Sequence, residues 1–237
     1  AVYGISNLNV NNSNFTENTA TNAGGAIVWN NNANIVGSNF INNTANYGGA
    51  IQGQNSPNSK GRVIKSTFTG NTATNAGGAI NIENPVNLTV IDSIFNDNSA
   101  PTGGAINGAT NTIIGVSNST FNRNTATNKG GAINGENIVN IDNSNFVYNT
   151  KEINMKNGDI KYTNFTSSSM PVVTAVGSVN FIETKFNGEY PSRTYIVGSF
   201  TSDKYGWYEV LNELVNGAAP DATLYLHNRT YVFNQSV

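Results

Sequence analysis

The tetrapeptide Gly-Gly-Ala-Ile occurs five times, at nearly equal intervals, in this chain of 237 residues. The copies begin at Gly24, Gly48, Gly77, Gly103 and Gly130. Each copy follows a Phe-x-x-Asn element by eight or nine residues, and a sixth Phe-x-x-Asn stands at Phe146. Self-similarity at a fixed period is the signature of a solenoid, whose units stack on their neighbours. The repeat therefore predicts a stacked architecture for most of the chain.

The length of the period selects the type of solenoid. Successive Phe residues are 25, 28, 27, 26 and 25 positions apart. Helical repeats need two apolar segments of helical period per unit, and these units contain only short β-like runs broken by Asn and Gly. A propeller blade needs about 40 residues. A unit of this length fits one coil of a parallel β-helix, so we predict an all-β solenoid.

Three positions of the unit predict an inward face. The position two before each Phe is Ser in all six units, and the position five before it is Val or Ile. Because side chains alternate along a strand, Ser and Phe share a face. An exposed Phe column would form a large apolar patch on a soluble protein, so this face is predicted to point inward. The Phe column is Phe15, Phe40, Phe68, Phe95, Phe121 and Phe146.

An Asn stands three positions after each of these Phe residues. Asn at the same corner of successive coils can pass an amide hydrogen bond from coil to coil, and it tolerates the left-handed backbone of a tight bend. The Gly-Gly pair would supply a positive φ or a close backbone approach. We therefore predict an Asn ladder formed by Asn18, Asn43, Asn71, Asn98, Asn124 and Asn149.

The residues after Gly-Gly predict a candidate recognition face. Alternation places the Ile of each copy inward and the Ala, such as Ala26 and Ala50, outward. Further outward columns run through Val28 and its equivalents and through the residues two positions later, which are rich in amides. We expect this flat, mostly uncharged face to bind any ligand. Its candidate binding residues are Gln52, Gln54, Asn81, Glu83, Asn107, Asn134 and Glu136.

The repeat continues in a degraded form and then stops. Phe165 and Phe186 keep the inward pattern, but the Asn corner becomes Ser168 and Glu189, which gives about eight coils over residues 1–189. Residues 190–237 break the pattern. Apolar residues from Trp207 to Val215 have helical spacing and predict an amphipathic helix, followed by short strands at 223–226 and 231–233. This segment is either a C-terminal cap or the start of a further β-helix module.

Composition narrows the class of protein. The chain has no Cys and a net charge of −2, so neither disulfides nor a thiolate metal site is available, and a basic surface for nucleic acid is not expected. No apolar run reaches transmembrane length and no signal peptide is present, so we expect no direct membrane insertion by this segment. The sequence starts in the middle of a coil, which we interpret as a sign that it is a piece of a longer chain. We expect this piece to be monomeric.

The combination of Phe-x-x-Asn with Gly-Gly-Ala-Ile resembles the repeat of polymorphic outer-membrane autotransporter proteins and of adhesin-like surface proteins of methanogenic archaea. The resemblance covers residues 6 to 150, with a weaker continuation to 189, and the Asn richness and lack of Cys are more similar to the archaeal group. It implies a right-handed parallel β-helix, extracellular at the cell surface. The implied partner is a glycan or a protein of another cell. The repeat leaves a pure spacer role open beside attachment.

An enzymatic alternative also follows from the fold, since parallel β-helices include polysaccharide lyases and glycoside hydrolases. Such chemistry needs clustered carboxylates on an outer face, as metal ligands or as acid and base. The best candidates, Glu83 and Glu136, are two coils apart, about 10 Å by strand spacing. No Arg or Lys stands in the adjacent columns, and the single His227 is interpreted as a turn residue. Trp29 and Tyr47 could stack on sugars, but we assign both to packing. We expect no enzyme, no cofactor and no metal.

Overall fold

The computed structural model describes residues 2–4, 7–54, 59–83, 85–167, 171–188 and 196–202. Within these ranges the chain consists of short strands joined by tight turns, and no helix is present. The strands are β1 (Val2–Gly4), β2 (Leu8–Asn11), β3 (Asn14–Thr16), β4 (Ile27–Trp29), β5 (Asn32–Val36), β6 (Asn39–Ile41), β7 (Thr44–Tyr47), β8 (Ile51–Gly53), β9 (Lys60–Ile64), β10 (Thr67–Thr69), β11 (Thr72–Ala76), β12 (Ile80–Ile82), β13 (Asn87–Ile91), β14 (Ile94–Asn96), β15 (Ser99–Thr102), β16 (Ile106–Gly108), β17 (Ile113–Ser117), β18 (Thr120–Asn122), β19 (Thr125–Lys129), β20 (Ile133–Asp142), β21 (Asn145–Val147), β22 (Ile153–Lys161), β23 (Asn164–Thr166), β24 (Val173–Ile182), β25 (Lys185–Phe186) and β26 (Ile196–Ser202).

The strands form three parallel sheets, which confirms the predicted parallel β-solenoid. The Phe sheet contains eight strands in the order β25-β23-β21-β18-β14-β10-β6-β3, and the third sheet contains four in the order β19-β15-β11-β7. The large sheet contains fourteen. Two arms meet at β20: β1, β4, β8, β12 and β16 form one arm, and β2, β5, β9, β13 and β17 form the other. From β20 the sheet continues through β22, β24 and β26.

The number of complete turns is smaller than the predicted number of coils. Four turns contribute a strand to the third sheet, and the first turn joins it through the bridges Thr19↔Thr44 and Ala23↔Tyr47. About five turns therefore have all three sides. The later coils keep the Phe sheet and the large sheet, where β20, β22 and β24 are long strands of 10, 9 and 10 residues.

The Phe column forms one continuous stack inside the solenoid. Ring centroids from Phe15 to Phe146 are 4.7 to 4.9 Å apart, with nearly parallel planes. Phe165 and Phe186 extend the stack at 4.9 and 4.8 Å. This spacing matches the distance between adjacent strands of a sheet. Each ring therefore covers the next, and all of the stack except half-buried Phe15 lies in the buried core.

The Asn column forms the ladder that its spacing predicts. The Nδ2 of Asn71 donates to the Oδ1 of Asn98 at 2.9 Å and to the Phe40 carbonyl at 3.0 Å, while the Asn71 amide N–H donates to the same Oδ1. The pattern repeats from Asn43 to Asn124, so these amides are fully paired. The expected left-handed backbone lies one residue earlier, at Glu17, Asn42, Gly70, Asp97, Arg123 and Tyr148.

The inward Ser column is a second hydrogen-bonded corner. The Ser66 hydroxyl donates to the Ile64 carbonyl two residues earlier and accepts the Ser38 N–H at 3.1 Å. Ser38, Ser93, Ser119 and Ser144 repeat this arrangement. The hydroxyl therefore satisfies a backbone donor that the bend leaves out of the sheets.

The predicted outward orientation of the Ala column is wrong. Ala26, Ala50, Ala79, Ala105 and Ala132 are all fully buried in the core. The N–H groups of Ala50 and Ile51 both donate to the Ala79 carbonyl, and every Gly-Gly-Ala-Ile copy shows this pairing of two donors with one acceptor. Such a bulge interrupts the two-residue alternation of a strand. Ala and Ile therefore both point inward.

The two glycines of each pair have different roles. The first, such as Gly103, has a positive φ, whereas the second allows neighbouring coils to approach closely. A Cβ added to Gly104 would lie 2.2 Å from the Gly131 carbonyl oxygen of the next coil. No side chain fits at this position.

Several predictions concern residues outside the described ranges. These are the amphipathic helix, the strands at 223–226 and 231–233, the boundary between residues 189 and 190, and His227. The corner residues Ser168 and Glu189 also lie outside them.

Candidate functional site

The candidate recognition column forms a second amide ladder. The Nδ2 groups of Asn81, Asn107 and Asn134 donate to the side-chain oxygens of Gln52, Asn81 and Asn107, at 2.9, 2.7 and 2.8 Å. Asn154, which is not among the seven candidate binding residues, continues the ladder by donating to Asn134 at 2.7 Å. This ladder donates toward the N-terminal coil, whereas the corner Asn ladder donates toward the C-terminal coil.

Three of these amides are buried, and the prediction of an exposed face is wrong for them. The exposed fractions of Gln52, Asn81 and Asn134 are 0%, 5% and 0%, while Asn107 is half-buried. The glycine turn lies close to this column, since a Cβ on Gly103 would lie 2.8 Å from the Cα of Asn107.

The second predicted column is more accessible but is partly occupied by internal contacts. Gln54 and Glu83 are half-buried, and Glu136 is exposed. The Gln54 Oε1 accepts a hydrogen bond from the Tyr3 hydroxyl, and the Glu83 Oε1 accepts one from Gln52. The binding role of these seven residues stays a prediction, but most of their amide groups already have partners within the solenoid.

The structure assigns Trp29 to packing, whereas Tyr47 is partly accessible. Trp29 is fully buried, and a Cβ on Gly53 or Gly61 would lie 2.5 or 2.7 Å from its indole ring. These glycines make room for the ring inside the solenoid. Tyr47 is 39% exposed.

The described residues do not bring carboxylates together into a metal site. No group of three or more His, Cys, Asp or Glu side chains that could hold a metal ion occurs among them. The absence of catalysis stays a prediction.

A buried carboxyl group at the end of the third sheet was missed from the sequence. Glu152 occupies the position of the Ala column in the coil after Ala132, since the Ala132 and Ile133 N–H groups donate to its carbonyl. Its side chain is fully buried and accepts a hydrogen bond from the Asn149 amide. Burial raises the pKa of Glu152 to about 8, against the opposing effect of hydrogen bonds from Asn149 and Ser167. The aligned repeat could have revealed it, because a charged residue stands where five copies have Ala.

A groove on the outer face of β2, β5 and β9 was also missed. Two parallel columns form its walls: Asn7, Asn32 and Lys60 on one side, and Asn9, Asn34 and Arg62 on the other. The volume of the groove is about 420 Å³. These residues stand three and one positions before the inward Val10, Ile35 and Val63, a regular offset that the sequence already displays.

Three segments of the chain match the Chlamydia polymorphic membrane protein repeat. They are residues 12–28, 65–83 and 118–136. Each segment spans a Phe-x-x-Asn element and the Gly-Gly-Ala-Ile that follows it, so the match rests on the Phe stack, the Asn corner and the glycine turn. Polymorphic membrane protein repeats on a β-solenoid fit the stalk of a surface protein.

Neither the curated proteins nor the solved structures contain a match to this chain. Among the described residues, no helix has the length and apolar character needed to cross a membrane.

Proposed function

We propose that this chain is part of an extracellular surface-protein stalk that attaches its cell to other cells or to glycans, without catalysis. The observation that carries the proposal is the match of three turns to the polymorphic membrane protein repeat, in a chain that forms a parallel solenoid. The resemblance to adhesin-like proteins of methanogenic archaea extends the proposal to their kind of cell surface. The partner is a cell-surface glycan or protein, and the chain acts as a monomeric part of a longer protein.

The internal contacts support a rod that keeps its shape under load. The Phe stack and the Asn ladder each connect consecutive coils without interruption from the first turn to the fifth. Each coil is bound to its neighbours by side-chain contacts as well as by the sheets, so bending would break several contacts at once. A stalk needs this property whether or not it carries the binding site.

A specific observation favours a second candidate, the pure spacer. The amides of the predicted recognition column bond mainly to each other, and Gln52 and Asn134 are fully buried. A ligand that used them would have to displace these hydrogen bonds. If no other outer face binds a ligand, the solenoid serves as a spacer alone.

Attachment is tested with the purified chain and a panel of whole cells and immobilised glycans. We expect saturable binding to a subset of cells or glycans by the folded chain and no binding by the same chain after thermal unfolding. A folded chain that binds nothing in the panel contradicts the attachment proposal and favours the spacer.

Catalysis is tested by incubating the chain with polygalacturonate and with neutral polysaccharides. We expect no release of reducing ends or of unsaturated products, because no group of three or more His, Cys, Asp or Glu side chains that could hold a metal ion occurs among the described residues. Turnover that disappears in Glu83→Gln or Glu136→Gln would instead establish an enzyme of the β-helix type.

A further inference from the structure

The groove on β2, β5 and β9 combines a defined shape with polar groups that have no partners. Asn9 pairs in register with Asn34, and Asn34 with Arg62, while Asn32 pairs with Lys60. Because residues i and i+2 of a strand point to the same side, the two columns project together on either side of the groove.

Asn32, in the column with Asn7 and Lys60, is already held by hydrogen bonds to its neighbours. Its Nδ2 donates to the Asn7 Oδ1 at 3.1 Å, and its Oδ1 accepts the backbone N–H of Lys60 at 3.0 Å. This wall is therefore preorganised, which lowers the ordering cost of binding a ligand.

The remaining polar groups face the groove without partners in the described part of the chain. No hydrogen bond or ion pair of the described residues involves the side chains of Asn9, Asn34, Lys60 or Arg62. The ion pairs recorded within the described ranges lie on other coils, Asp97 with Arg123 and Asp159 with Lys161. The groove thus presents two cations and two amides in a chain of net charge −2.

We propose that this groove binds an anionic sugar polymer, an inference that rests on the proposed attachment function and names its ligand class. The Arg62 guanidinium is suited to a carboxylate or sulfate group through paired hydrogen bonds, and the Lys60 ammonium adds a point charge beside it. The Asn9 and Asn34 amides both donate and accept, as sugar hydroxyl groups require.

The direction of the groove fits a polymer. It runs across the strands, along the solenoid axis, and the next coil continues it with Asn87 in register with Lys60 and Thr89 in register with Arg62. A chain of sugars lying across β2, β5, β9 and β13 would meet polar side chains at each of these strands, about 4.8 Å apart. A nucleic acid is a poorer fit, because two cations provide little of the phosphate neutralisation on which such binding depends.

The test measures binding of the whole chain to oligogalacturonate, to sulfated dextran and to unmodified dextran by calorimetric titration. We expect binding to at least one of the two acidic polymers and none to neutral dextran. The acidic polymer bound more tightly identifies carboxylate or sulfate as the source of the charge. Lys60→Gln/Arg62→Gln should weaken binding about tenfold or more, since it removes both charge-assisted contacts.

A matched control separates a built site from general attraction to polyanions. Lys129→Gln/Lys156→Gln removes the same charge from two exposed positions away from the groove and should bind like the unmodified chain. Arg62→Lys keeps the charge but loses the paired geometry, and we expect it to bind more weakly than the unmodified chain. Equal losses in both double variants, or full binding by Lys60→Gln/Arg62→Gln, would overturn the proposal.

The cell-binding assay distinguishes a failure of the groove proposal from a failure of the proposed attachment function. Cell attachment that persists unchanged in folded Lys60→Gln/Arg62→Gln contradicts the groove and leaves the attachment function standing. Acidic-polymer binding without any cell attachment supports the groove and contradicts attachment to those cells.

Discussion

The first five turns and the coils that follow share one Phe stack but differ on their third side. Stacked rings run without a gap from Phe15 to Phe186. The third sheet ends at β19, where the Gly-Gly-Ala-Ile copies also end. The Phe sheet and the large sheet continue into the later coils, whereas the third sheet occurs only in turns that contain Gly-Gly-Ala-Ile.

The junction between the two regions is closed by side chains. The Thr150 hydroxyl accepts the Ala126 N–H and donates to the Ala126 carbonyl, as a strand backbone would. The Lys151 ammonium donates to the carbonyls of Thr127 and Asn128 at 3.2 and 3.1 Å. An open sheet edge can pair with other chains, and a Lys is a common protection against this. The third sheet therefore ends in a protected edge.

The largest expected loss of stability comes from interrupting the Phe stack, which both regions share. Phe95→Ala removes a fully buried ring with stacked neighbours on both sides, and it should cost about 3 to 5 kcal/mol of unfolding free energy through the cavity that it leaves. Phe15→Ala, at the half-buried start of the stack, should cost clearly less. Urea denaturation of both variants measures the difference, and equal costs would contradict a stack stabilised from both sides.

The next largest expected effect is a loss of stability in the three-sided turns alone. Gly104→Ala should cost roughly 3 kcal/mol, because its Cβ would lie 2.2 and 2.4 Å from backbone oxygens of the next coil. Gly115→Ala is the matched control, since the nearest atom to its Cβ is 3.9 Å away, and it should be close to neutral. Thermal unfolding compares the two, and a neutral Gly104→Ala would disprove the close packing of the glycine turns.

A pH effect distinguishes the junction from the regular turns. The pKa of Glu152 is raised by burial from 4.5 to about 8, so the unfolded state loses this proton first as the pH rises. The Glu152 contribution to stability should therefore be fully retained below pH 4.5 and decrease between about 4.5 and 8, by an amount on the order of a few kcal/mol. Glu152→Gln should remove this component. Unfolding measured at pH 5 and pH 8 tests it, and identical pH profiles for both chains would contradict the buried carboxyl.

The smallest expected effect compares the two amide ladders of the regular turns. Asn98→Ala should cost about 1 to 3 kcal/mol, because the change leaves buried corner groups unpaired. Asn107→Ala, in the half-buried second ladder, should cost about 1 kcal/mol or less. Denaturation of the single variants provides the measurement, and a larger cost for Asn107→Ala would reverse the assigned importance of the two ladders.

The groove and the buried Glu152 depend on contacts between coils that no single unit displays. The positions equivalent to Lys60 and Arg62 in other coils are mostly Asn. Only the register of β5 with β9 places Lys60 beside Asn32 and Arg62 beside Asn34. Glu152 aligns with the Ala column only when the coil that contains it is recognised as shorter, because the loss of the third strand shifts the alignment.

The sequence by itself determined the parallel solenoid, the inward Phe and Ser columns and the Asn corner. Identical residues at equivalent positions of successive coils must stack on each other, so the period carries the register with it. The tertiary structure alone decided which side of the glycine turn faces solvent. Strict alternation placed Ala50 outward and Gln52 on an open face, but the bulge at each Gly-Gly-Ala-Ile turns Ala inward, and Gln52 is fully buried. A corner is formed by backbone geometry between two strands, and the two-residue rule describes only the strands themselves.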